Sequence, residues 1–241
     1  MSGAVKEHVA IVGISSIIPS DIVGKEGLWH VLSNKKCVIG TVPTSRWNTG
    51  HYTGPADKPG KVVTDRGGFL HDVDMFDASA FGISGREAEE MSQEQRWLLK
   101  VAHQALDDSA CVYRGTDMGV FVAASQNSMQ LEKDAMTVDE YQTTGSSTSI
   151  CANRISFVFD LHGPSFAVDS ACSSSMTAVH VALQALHGGD CSQALVAGMN
   201  IASNNMHKWR QNGDPLKLYR RQSYPGACHV RLLHKTGCPV T

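Results

Sequence analysis

The run Val168-Asp169-Ser170-Ala171-Cys172-Ser173-Ser174-Ser175 constrains this chain more than any other stretch, because it places a cysteine where strand becomes helix. Before it, Ser165-Phe166-Ala167-Val168 reads as a short buried strand. After it, Met176, Val179, Leu183 and Leu186 recur at helical spacing and predict one apolar face. Gly188-Gly189 then stops the helix as a C-cap. Cys172 is thereby expected at or beside a helix N-terminus, where open backbone N–H groups favour thiolate and offer donors to an oxyanion. Most free cysteines are small core fillers. Three features separate Cys172 from that majority: the corner, the serine triplet after it and the tight flanking pattern. Cys37, Cys111, Cys151, Cys191, Cys228 and Cys238 show none of them.

The 241 residues suffice for one large domain or two small ones. A formal net charge of -2 leaves no basic stripe, which excludes nucleic acid and anionic membrane as bulk partners. The seven cysteines form no C-x-x-C pair and no metal-like spacing, so no metal site is expected. Their odd count, with no signal peptide, predicts a reducing compartment and a cytoplasmic location. No apolar run approaches the roughly 20 residues a bilayer span needs. The start, Met1-Ser2-Gly3-Ala4-Val5-Lys6-Glu7, is neither an h-region nor an Arg-rich transit peptide.

Strand and helix patterns alternate, which predicts an α/β fold with a mostly parallel sheet flanked by helices. His8 to Ile14 reads as a first strand buried on both faces. Gly24 to Leu32 reads as a helix with Leu28, Trp29 and Leu32 as its apolar contacts. Residues 43 to 68, with Pro43, Pro55, Pro59 and five glycines, read as a long arm of turns. Ser92 caps a helix whose buried stripe is Leu98, Val101, Ala102, Ala105 and Leu106. Met118 to Ala124 is a second central strand. A helix through Ser147 to Phe157 leads to the strand before Cys172, and Ala194 to Gly198 is a further strand. Past about Asn205 no sustained period of either kind is legible, and nothing there reads as the next element of the sheet.

Nine landmarks stand in one order along the chain. They are His8 to Gly13; Val42-Pro43 with Arg46-Trp47; Pro59-Gly60-Lys61; and Gly67-Gly68-Phe69-Leu70-His71-Asp72-Val73-Asp74-Met75-Phe76-Asp77. Then come Phe81-Gly82-Ile83-Ser84 with Arg86-Glu87-Ala88; Gln95-Arg96; Ala152-Asn153-Arg154-Ile155-Ser156-Phe157; Gly163-Pro164-Ser165; and the Cys172 corner. In this set the chain resembles the β-ketoacyl synthases of polyketide and fatty-acid synthesis, from His8 to about Asn200. The arm from Arg46 to Phe69 looks like the large, multidomain type I synthases. Gly85, Ser92-Gln93, Ser170 and Met176 depart from the usual pattern (proline, Asp-Pro, threonine and leucine), and none replaces the nucleophile.

The resemblance implies a thiolase-like layered α/β fold of two similar halves, of which this chain carries the N-terminal half. It implies that Cys172 is the acyl-accepting nucleophile and its backbone N–H an oxyanion donor. The implied reaction is a decarboxylative Claisen condensation of that acyl group with a malonyl unit. Substrates would ride on the phosphopantetheine of an acyl carrier protein, with no cofactor bound directly. A homodimer would form through the strand Ser165 to Val168. The family's two histidines and its lysine lie in the other half. Asn48-Thr49-Gly50-His51 and His234-Lys235-Thr236-Gly237 mimic their turns without the structural context. His180 and His187 read as packing or surface residues, His162 as a solvated turn residue, and serines 173 to 175 as caps for open helix N–H groups.

The expected division is residues 1–205 as the N-terminal half of a β-ketoacyl synthase domain and 206–241 as a divergent tail. Back-translation of Cys228 to Leu233 permits Ala-Thr-Phe-Asp-Ser-Ser in the +1 frame, near where the family carries a Thr-Phe-Asp-Ala-like stretch. A frameshift or truncation is the expectation, and condensation by this chain alone is not expected. The rival readings are a catalytically inactive half-synthase serving as a binding subunit and a truncated product without function.

Overall fold

A computed structural model of the chain describes residues 8–55, 57–58, 61–124, 140–201 and 227–235. The start of the chain, Pro59-Gly60 and the tail outside 227–235 therefore lie beyond the described residues. In chain order the elements are β1 (Val9–Ile18), β2 (Ile22–Val23), α1 (Gly24–Ser33), β3 (Gly40–Thr41), α2 (Thr49–Tyr52), β4 (Arg66–Gly67), α3 (Gly85–Glu90) and α4 (Gln93–Ser109). They continue with β5 (Gly119–Ala123), α5 (Gln142–Ser146), α6 (Ile150–Phe159), β6 (Ser165–Val168), α7 (Ser174–Gly188), β7 (Gln193–Asn200) and β8 (Ala227–Lys235).

Six strands form one sheet in the order β2-β1-β8-β7-β5-β6. β6, β5 and β7 are parallel neighbours, while β8 runs antiparallel to both β7 and β1. β1 consequently shares the direction of the parallel set, and the sheet is mixed. Side chains of β5 alternate: Val120 and Val122 enter one core with α4 and α6, whereas Phe121 and Ala123 enter a second core with α7. β7 divides the same way, Leu195 and Ala197 against Ala194 and Val196. Period-2 alternation with both faces apolar is what a sheet sandwiched between helix layers requires.

The helix expected after Ser92 is α4. The Ser92 hydroxyl accepts the Gln95 N–H at 3.2 Å, and Leu98, Val101, Ala102, Ala105 and Leu106 are all buried. β1 approaches α4 closely at Gly13, where an added Cβ would stand 2.8 Å from the Ser109 Cβ. The landmark motifs prove to be contacts. Arg46, buried, donates to the Leu70 carbonyl at 2.6 Å, and Trp47 meets Phe69 edge to face at 5.6 Å, so the start of the arm is folded onto the Gly67–Asp77 run. The indole of Trp97 on α4 donates to the Val73 carbonyl at 2.9 Å.

Four expectations need correction. The tail does contain a sheet element: β8 sits between β1 and β7 with Val230, Leu232, Leu233 and His234 buried. A strand covered on both faces carries no polar–apolar alternation to read. On α1 only Val31 is buried, and Trp29 and Leu32 are exposed, because this helix meets β1 and β2 along one narrow stripe at the sheet edge. Ile11 is also exposed: the β1–β8 pairing shifts register between Ile11 and Gly13, a bulge that breaks the alternation. The helix expected from Ser147 to Phe157 starts three residues later and runs on to Phe159 as α6, with the short α5 ending just before it at Ser146.

Candidate active site

β6 spans Ser165 to Val168 as expected and pairs in parallel with β5, but as an edge strand it is not buried: Phe166 is exposed and the other three residues are half-buried. Val168 aligns with Ala123 of β5, and Ala123 with Gly198 of β7, so the three strands end along one carboxyl edge. In open α/β sheets that edge is where ligands bind. Cys172 follows four residues beyond β6, inside a single 3-10 turn (Ala171–Ser173) that leads directly into α7, and its side chain is exposed. α7 ends at Gly188, with Gly189 in the left-handed conformation at φ 82°.

The corner is held by side chains. Ala171, just before the cysteine, is left-handed with φ 53°, a conformation that is strained for a residue with a Cβ. Its N–H donates to Asp169 Oδ1 at 3.0 Å, and its carbonyl accepts from Ser174 Oγ at 2.7 Å. The same Ser174 oxygen accepts the Ser170 N–H at 2.8 Å. Ser173 Oγ donates to the Ser170 carbonyl at 2.8 Å, and Ser170 Oγ lies 2.8 Å from Thr177 Oγ1. The serines therefore tie the backbone of the corner rather than the first turn of α7, whose N-cap Ser173 makes no side-chain cap bond. Asp169, Ser170 and Thr177 were missed by sequence reasoning, since a short polar run is indistinguishable from ordinary capping.

The buried face of α7 is also not the expected one. Ala178, Ala182, Ala185 and Leu186 seat on β5 and β7, whereas Met176 is exposed and Val179 and Leu183 are half-buried. Alanines let this helix lie close to the sheet and leave its larger side chains on the flank.

α6 braces the strand that leads to Cys172. Ser156 Oγ donates to Ser165 Oγ at 2.8 Å, and Ser165 Oγ donates to Asn153 Oδ1 at 3.1 Å. Arg154, on the same helix, donates to Gln95 at 2.8 Å and to Glu87 at 2.5 Å. Cys111, Cys151 and Cys191 are buried, whereas Cys37 is exposed like Cys172. Burial pushes the Cys151 thiol up to about 12, and burial also raises Cys191, so neither is a thiolate at neutral pH.

Among the described residues the histidines singled out in the sequence are spread over separate elements. His51 belongs to α2 in the arm, a turn capped by Asn48. His180 and His187 are exposed on α7, and exposed His162 pairs with Asp160 at 3.1 Å. His234 is buried in β8, where its Nδ1 bonds the Lys235 carbonyl at 2.7 Å. It aligns with Gln193, at the amino end of β7. Gly198 at the site edge is five residues away, roughly 17 Å along a strand. Among the described residues no group of three or more His, Cys, Asp or Glu is placed to hold a metal ion, and no helix is long and apolar enough to cross a membrane.

The mixed sheet between helix layers, with an exposed cysteine on a strained strand-to-helix corner at one carboxyl edge, is that of an α/β protein. The family model described as "Beta-ketoacyl synthase, N-terminal domain" matches residues 6–214, and the chain belongs to that family. The spectinabilin polyketide synthase system protein NorC of Streptomyces orinoci is 41% identical over 210 residues, 83% of this chain and 9% of that protein. The highly reducing polyketide synthase PKS6 of Gibberella zeae is 35% identical over 224 residues, 90% of this chain and 9% of its own length. Among solved structures, the ketosynthase domain OzmH KS7 of oxazolomycin synthesis from Streptomyces albus JA3453 superposes with a TM-score of 0.77 at 28% identity. That likeness covers 95% of this chain and 42% of the other. The chain thus spans less than a tenth of the length of these two curated relatives and under half of the solved domain.

Proposed function

We propose that Cys172 is the acyl-accepting nucleophile of a β-ketoacyl synthase. One observation carries the reading: an exposed thiol stands on a constrained corner just beyond the carboxyl edge of β5, β6 and β7. The thiolate attacks the carbonyl of an acyl thioester on a carrier protein's phosphopantetheine arm. The tetrahedral oxyanion collapses, the phosphopantetheine thiol leaves with a proton, and the acyl group stays on Cys172. The Cys172 backbone N–H is a donor to that oxyanion. In the condensation a malonyl thioester loses carbon dioxide, its carbanion attacks the acyl-cysteine carbonyl, and the Cys172 thiolate departs.

In this reading residues 1–205 carry the N-terminal half of the synthase, and 206–241 diverge in sequence although 227–235 occupies a strand of the sheet. The flank of α7 that bears Met176, Val179 and Leu183 faces a second α/β half, which supplies the polar donors for decarboxylation. The exposed edge of β6, with Phe166 partly exposed, supports pairing with a second copy. The acyl carrier protein is the substrate-bearing partner.

The test is incubation of the whole chain with an acyl N-acetylcysteamine thioester, followed by peptide mass spectrometry. An acyl mass increment on the Cys172 peptide, absent in Cys172→Ala, is the expected result. Acylation elsewhere, or none, overturns the assignment.

A further inference from the structure

The hydroxyl of Ser174 is a buried polar group among exposed neighbours: Ala171, Cys172 and Ser173 are exposed and Ser174 is not. It reaches backward rather than along its own helix. It accepts the Ser170 N–H and donates to the Ala171 carbonyl, bridging the two peptide units that precede the cysteine. Asp169 holds the remaining polar group of Ala171, its N–H. The Ala171 carbonyl accepts both the backbone N–H and the hydroxyl of Ser174, and side chains on either side of Cys172 thus reach both hydrogen-bonding groups of a left-handed alanine.

We infer that Ser174 is a positioning residue for Cys172, holding Ala171 left-handed so that the thiol projects from the corner toward its acyl donor; the inference rests on the nucleophile reading above. Left-handed backbone is disfavoured for alanine, and such strain persists only where the surroundings over-determine it. Two side-chain clamps on one residue are that over-determination. Without the Ser174 bridge, Ala171 relaxes to a right-handed or extended conformation and the Cys172 side chain swings with the adjoining peptide. The effect is on aim, and α7 survives it because its buried stripe of Ala178, Ala182 and Leu186 is independent of the bridge.

The experiment is site-resolved alkylation of the full chain by iodoacetamide, with exposed Cys37 as internal reference. Ser174→Ala is expected to slow Cys172 about tenfold, the order of the left-handed penalty for alanine, with Cys37 unchanged. Ala171→Gly, which adopts positive φ without steric cost, is expected to restore the rate in the double variant to within about twofold of the parent. A residue that merely capped α7 would not be rescued by a glycine at position 171. An unchanged Cys172 rate in Ser174→Ala, or a loss that Ala171→Gly does not repair, overturns the inference. Should Ser174→Ala fail to fold by circular dichroism, Asp169→Ala removes the other clamp from an exposed position and carries the same two expectations. A parent chain in which Cys172 reacts no faster than Cys37 counts instead against the nucleophile reading.

Discussion

Arg154 Nη1 lies 2.5 Å from Glu87 Oε1, an ion pair joining α6 to α3 across 67 residues of sequence. Arg154 is nearly buried and spends its Nε on Gln95 of α4, whose amide nitrogen in turn donates to the Thr144 carbonyl of α5. The guanidinium ties α6 to α3 and α4, and Gln95 extends the junction to α5. The same helix α6 braces β6 through Asn153 and Ser156, so this junction sets the height of the strand that ends at the cysteine corner.

Arg154→Ala leaves Glu87 and Gln95 without their shared donor. The expected loss is about 3 kcal/mol of unfolding free energy, as for a buried pair stripped of one partner. Glu87→Gln keeps a hydrogen-bond acceptor on the more exposed side and is expected to cost about 1 kcal/mol. Urea unfolding followed by circular dichroism separates the two. Equal losses would show that the ion pair, and not the geometry at Arg154, carries the junction.

Cys151 ties stability to alkaline pH. Its folded-state value of about 12 lies above the ordinary 9.0, so the folded thiol keeps a proton that the unfolded chain gives up. The unfolded state then binds fewer protons, and stability falls as pH rises from 9.0 toward 12. Near neutral pH the contribution is complete. The slope over that window is about 1 kcal/mol per pH unit for a single such group. Cys151→Ala is expected to flatten it, and denaturant midpoints at pH 8 and above for the two chains measure the difference.

β8 makes the tail a working part of the sheet. Leu232 is fully buried between β1 and β7, and Leu232→Ala is expected to cost about 3 kcal/mol. Leu232→Asp buries an unpaired carboxylate in the middle strand and is expected to prevent folding. A melting temperature unchanged by Leu232→Ala would remove β8 from the core.

The β6 edge carries the expectation of a two-fold dimer. Phe166 is partly exposed there and packs edge to face on Phe121 at 5.2 Å. Phe166→Lys places a charge on the free side of the edge strand, the device by which natural sheets block pairing. Sedimentation velocity is expected to show a dimer for the parent chain and a monomer for the variant. Identical species in both would move the interface elsewhere.

What the residues disclosed depended on how local their signal was. The cysteine corner, β6, the Ser92 cap and the Leu98–Leu106 stripe were legible because each is a short pattern that one neighbour satisfies. α7 was legible as a helix but not in its orientation. Apolar on most sides, it has no single stripe, and its small alanines, not its large Met176, meet the sheet. β8 was illegible because its partners are distant strands that cover both faces. The place of Ser174 in the corner was hidden by its resemblance to a routine helix cap, and nothing local marked Asp169. The left-handed Ala171 that gives them a purpose has no residue-type signature, since alanine rarely adopts that conformation.

The antiparallel β8 also dictates an order of events during synthesis. β5, α6, β6, α7 and β7 follow one another in sequence and form a run of parallel crossovers before β8 is made. β1, made first among the described strands, pairs there only with the two-residue β2 until β8 is available. Its inner edge therefore waits, unpaired and apolar, while nearly everything between is translated. The sheet therefore closes last in its interior, between β1 and β7, and the slow, aggregation-exposed step is the arrival of residues 227–235.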